Sequence, residues 1–143
     1  MMTGAENMQY GYMPTLNRKI YEMKYDNPIL RLTFQFSLDI IVYTEQLLEL
    51  KKFVIARQLL RSGTSIGANC REAQNAESKF DFIHKLKIAA KEAEETIYWL
   101  QLCDASIHYP GTQHLLKQVE QIHRVLNKII GTTKINLRTN GNK

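Results

Sequence analysis

Three arginines, Arg57, Arg61 and Arg71, and three further cations, Lys117, Arg124 and Lys128, recur in the sequence at helical spacing. On a helix turning 100° per residue with Leu59 at zero, the arginines fall at about 160°, 200° and 120°. With Leu115 as reference, Lys117, Arg124 and Lys128 fall at about 200°, 180° and 220°. Cations strung along one helix face can each neutralise a phosphate, and such contacts supply most of the affinity in sequence-independent nucleic-acid binding. A soluble helix also carries charge opposite its apolar seam for solvation alone. Residues 51–75 hold five Lys and Arg against Glu72, whereas 29–50 and 76–106 are net acidic. The basic faces could therefore meet RNA or DNA, or acidic faces within or between subunits. Aromatic residues do not interleave either stripe, so base-specific recognition is not expected.

A second polar set, Ser62, Ser65, Asn69 and Glu72, flanks the seam of the same segment as the arginines. It reads as an interhelix hydrogen-bond network or a subunit contact, since a satisfied buried polar residue can fix helix register. Metal chemistry has weaker support. Glu120-x-x-His123 and Asp81-x-x-His84 have the spacing of bundle di-iron ligands. Both point about 140–150° away from their seams, so no metal or other cofactor is expected. No His follows an Arg by four to six residues, as in the helical HEPN ribonucleases, so that remote enzyme alternative finds no motif. Cys70 and Cys103 lie among apolar neighbours, where a free thiol serves as a small hydrophobe. Tyr98 and Trp99 read as core or interface anchors. No Gly-rich loop joins a strand to a helix, and no catalytic residue is assigned.

The elements that position these groups follow from periodicity. Phe36, Ile40, Tyr43, Leu47 and Leu50 step by four and three, as do Leu59, Gly63, Ile66, Cys70 and Ala73. Ile83, Leu86, Ala90, Ala93, Ile97 and Leu100 continue the pattern, and so do Leu115, Val119, Ile122, Leu126 and Ile129. Such stripes mark helices over 29–50, 53–75, 79–106 and 112–131, packed as an all-α, antiparallel up-down four-helix bundle. The Pro-free stretch 29–109 agrees. Asn27-Pro28 supplies one helix start, Ser78 with Asp81 a second, Pro110-Gly111-Thr112 a third, and Gly131 a C-cap. Residues 32–42 also alternate as a strand would, but no other segment offers a pairing partner, so the helix is retained. Gly63, Gly67, Ala68, Cys70 and Ala73 form a small-residue face whose expected complement is Ala90 and Ala93.

The run LLRSGTSIGANCREAQNAESKFDFIHKLKIAAKEAEETIYWLQL, from Leu59 to Leu102, resembles the 23S rRNA intervening-sequence proteins. Their pattern Ser-Ile-x-Ala-Asn-x-x-Glu is met by Ser65, Ile66, Ala68, Asn69 and Glu72, and Ser-x-x-Asp-Phe-Ile by Ser78, Asp81, Phe82 and Ile83. The resemblance implies a left-handed bundle that assembles as a homo-oligomer, often a pentamer, with no catalytic activity. It extends to the accessory variability determinant of diversity-generating retroelements, which binds a reverse transcriptase and nucleic acid through a basic surface.

With 143 residues, 44% hydrophobic and 23% charged, one globular domain is expected and low-complexity classes fall away. No apolar run exceeds four residues, so no membrane partner is expected. The absence of a signal-peptide core in residues 1–28 points to the cytoplasm. The net charge of +5 permits an anionic partner. The expected organisation is a flexible leader over 1–28, the bundle over 29–131 and a flexible basic tail over 132–143. The expected function is that of a non-catalytic oligomer presenting its basic faces to RNA or DNA, or of a scaffold recruiting a protein.

Overall fold

Capping chemistry sets the helix boundaries in the computed structural model, which describes residues 26–141. Helix α1 spans Pro28–Glu49, α2 Phe53–Ala73, α3 Lys79–Ala105 and α4 Gln113–Gly141, and no strand occurs among the described residues. The Asn27 side chain accepts the Ile29 amide at 3.1 Å, with proline at the first helical position. Ser78 Oγ accepts the Asp81 amide at 3.0 Å, and Asp81 Oδ2 in return accepts the Glu77 amide at 3.3 Å. The turn after α1 is a Schellman motif: Lys52 N–H donates to Leu47 O at 2.8 Å, and Lys51 N–H to Leu48 O at 3.0 Å. Lys51 occupies the left-handed position there, at φ 61°. The expected leader lies outside the described residues except for 26–28.

The stripes read from the sequence form one core, with Phe36, Ile40, Leu47, Leu59, Ile66, Cys70, Leu86, Ala93, Leu100, Leu115, Val119 and Leu126 fully buried. Four helix pairs pack: α1 with α2, α2 with α3, α3 with α4, and α1 with α4. Helices α2 and α4 thus stand across the diagonal. Cross-helix contacts fix the register. Arg61 meets Glu92 while Glu72 meets Lys85, and Thr112 reaches Leu100 while His123 reaches Glu94. Tyr43 donates its hydroxyl to the Pro110 carbonyl at 2.9 Å, tying α1 to the turn before α4. Burial holds that phenol well above the ordinary tyrosine range.

Four expectations change. Leu50 leaves the seam and is exposed. On α3 the buried positions are Ala89 and Thr96, with Ala90 and Ile97 only partly covered. Thr96 can enter the core because its hydroxyl reaches both the Glu92 carbonyl and Ser62. At its two glycines the small-residue face of α2 receives α1: a methyl group added at Gly63 would lie 3.0 Å from Cγ1 and Cγ2 of Ile40, and one at Gly67 3.3 Å from Thr33. Gly131 does not end α4, which continues ten residues further to Gly141. The stripe of Leu126 and Ile130 runs on through Thr133 to Leu137, which packs at the edge of the core and gives the extension something to bury.

Candidate nucleic-acid interface

The α2 arginines are largely engaged by the molecule itself. Arg61 bridges to Glu92 at 3.2 Å and to Glu95, both on α3. The Arg61 guanidinium, together with the Trp99 indole N–H, holds the Glu95 carboxyl below the usual carboxylate range. Arg71 lies over the Phe34 ring, 5.3 Å from its centroid. Arg57 borders an apolar groove lined by Thr44, Leu48, Phe53, Ala56 and Leu60.

On α4 the situation differs. Lys117, Arg124 and Lys128 are all exposed, and none of them forms an ion pair among the described residues. Glu120 is the last acidic residue of the chain, so α4 beyond it presents only cations and neutral groups. Because α2 and α4 are diagonal, Arg57, Arg61 and Arg71 do not share a face with Lys117, Arg124 and Lys128. One straight phosphate backbone meets one stripe or the other.

The polar set of α2 divides in the structure. Ser62 is fully buried and its Oγ accepts the Thr96 hydroxyl at 3.0 Å, joining α2 to α3. Glu72 also reaches α3, pairing with Lys85 at 3.0 Å. Ser65 and Asn69 bond back to their own helix, at the Arg61 and Ser65 carbonyls. Of the four, Ser62 alone is fully buried, and its bond to Thr96 is the buried polar contact between α2 and α3. His123 contacts Glu94 at 3.0 Å, and the described residues contain no group of three or more metal-ligating side chains. Burial pushes the Cys70 thiol up to about 12 and raises that of Cys103, so neither is a ready nucleophile.

The sequence profile of the 23S rRNA-intervening sequence proteins matches residues 25–128. The chain belongs to this family. A crystal structure of a protein of unknown function from the S23 ribosomal protein family of Bacteroides thetaiotaomicron VPI-5482 is similar at 40% identity, with a TM-score of 0.68. The similarity covers 71% of this chain and 97% of that one. No protein of curated function matches the chain. No described helix is long and apolar enough to cross a membrane.

The 23S rRNA-intervening sequence match stops at Lys128, and α4 carries the chain beyond it. That extension brings Lys134 and Arg138 beside Lys87 and His84 of α3, a cluster missed by a sequence reading that treated 132–143 as a tail. Its signal was already legible: residues 121–143 contain five Lys and Arg and no acid.

Proposed function

We propose that the chain is a non-catalytic, cytoplasmic homo-oligomer, an antiparallel up-down four-helix bundle that binds RNA or DNA without base specificity through the outer face of α4. The opposed numbering of the cross-helix contacts supports the antiparallel order. The observation that carries the binding reading is the set of exposed, carboxylate-free cations Lys117, Arg124 and Lys128 on an acid-free helix end. Such cations lose little on meeting phosphate, whereas Arg61 would first have to leave Glu92 and Glu95. Replacing Lys117, Arg124 and Lys128 together by Gln weakens binding to unrelated sequences alike. It also flattens the dependence of log affinity on log salt by about 2–3. The corresponding replacement of Arg57, Arg61 and Arg71 has the smaller effect. Unchanged affinity and slope in the α4 variant remove this face from the function.

A second reading, a ring that recruits a protein, draws on the apolar groove between α1 and α2. Leu48, Phe53 and Leu60 are exposed along it, and Val54, next to Phe53 in the sequence, is 74% exposed. Such a surface suits burial between subunits, in keeping with the five-membered ring that the family resemblance implies. A measured oligomer that is indifferent to polyanions favours this reading over nucleic-acid binding.

A further inference from the structure

The start of α3 and the end of α4 form a cavity of about 350 Å³ that is open to solvent, lined by Phe80, Ile83, His84, Lys87, Lys134, Leu137 and Arg138. Three features set it apart from an ordinary solvated surface. First, its charge has one sign. Among the described residues no carboxylate lines it, and the nearest acid in sequence, Asp81, accepts the Glu77 amide at the start of α3. Second, the cations crowd one another: Lys87 above all, burial next and Arg138 last hold the Lys134 ammonium below the ordinary lysine range. Like charges gathered without a counter-charge repel, and an anion placed among them relieves that repulsion. Third, the cavity has an aromatic wall. Phe80 is 75% exposed, a large apolar ring left in water beside the cations.

Cations suit a phosphate, and an open ring face suits a nucleobase, because every base has a π-face that stacks on an aromatic side chain. A cavity of this volume lies at the small end of ligand pockets, about the size needed for one nucleotide. We propose that this cavity holds one unpaired nucleotide of a single strand, its phosphate among Lys87, Lys134 and Arg138 and its base against Phe80. The inference rests on the nucleic-acid reading above and adds a site to it. Lys134, Leu137 and Arg138 lie beyond the residues that the family profile matches, so one wall of the site is built by the end of α4 and the other by α3.

The test measures the binding of the full chain to a 3′-fluorescein-labelled uridine octamer and to an octamer of equal charge lacking its bases. The intact strand binds more tightly. Phe80→Ala weakens the intact strand on the order of tenfold, the range of base–aromatic stacking, and leaves the base-free strand unchanged. Lys134→Gln with Arg138→Gln weakens both. All three side chains are exposed, so helical content stays as in the parent chain. Equal affinity for the two strands, or a Phe80→Ala chain that binds like the parent, overturns the nucleotide site. If both sets of variants bind like the parent while the Lys117, Arg124 and Lys128 variant loses affinity, the site fails and the α4-face reading stands. A parent chain that binds neither strand overturns both.

Discussion

At the scale of single residues, the pair Ser62 and Thr96 shows how a polar contact survives inside an apolar seam. Each hydroxyl is fully buried, and each has a carbonyl of its own helix nearby as well as the other hydroxyl. Thr96→Val keeps the shape but removes Ser62's partner on α3, leaving the buried Ser62 hydroxyl only its long 3.5 Å contact to the Leu59 carbonyl, at a cost of about 1–3 kcal/mol. Ser62→Ala with Thr96→Val costs less than the sum of the two single changes, a coupling that denaturant titration of all four chains reads directly. Additive single effects would show that the hydroxyls do not depend on each other. The sequence marked Ser62 as polar beside the seam, but its partner was hidden because Thr96 sits one position from Ile97, and a 3–4 count favours the larger apolar side chain. Similarly, Arg61 and Lys117 look alike at 100° per residue. Only the carboxylates of the neighbouring helix separate a cation that is occupied from one that is available.

Elements were more legible than contacts. Asn27-Pro28 and Ser78-x-x-Asp81 mark helix starts by local bonds, and local bonds can be read from spacing. The strand-like run from Leu32 to Val42 is helical because its second apolar set serves other ends: Phe34 lies under Arg71, while Ile41 and Val42 remain exposed. The end of α4 was misread because Gly131 resembles a stop. A glycine inside a helix costs about 1 kcal/mol relative to Ala, and continued packing through Leu137 offsets it. The turn after α1 offers the complementary test. Lys51 stands at φ 61°, where a residue bearing a Cβ is penalised by roughly 1–2 kcal/mol, so Lys51→Gly stabilises the protein by about 1 kcal/mol after the glycine's own entropy loss. A thermal midpoint that fails to rise would show that the turn carries no such strain.

At the scale of the whole molecule, diagonal packing sorts the surface by role. One corner, α2, sets Arg61 on α3 and Arg71 on Phe34 and lies beside an apolar groove, while the opposite corner, α4, keeps Lys117, Arg124 and Lys128 in water. If the groove is the subunit contact, Phe53→Glu with Val54→Glu dissociates the assembly without melting α2, since acidic residues suit the first turn of a helix. Light scattering then shows a smaller particle with helicity unchanged. An unchanged mass would exclude this groove from assembly. No pattern of spacing in one chain distinguishes an apolar residue left for a partner from one left by chance, so this part of the surface was not legible in the sequence.

Three of the four packed pairs join helices that are consecutive in the chain, linked by residues 50–52, 74–78 and 106–112. Short closures of this kind cost little loop entropy, and local topologies assemble quickly. Only the seam between α1 and α4 joins distant stretches, and the Tyr43 hydroxyl on Pro110 fastens it to the turn. A folding chain is expected to close that seam last. In the native protein the outer helices α1 and α4 are then expected to exchange their amide hydrogens before α2 and α3.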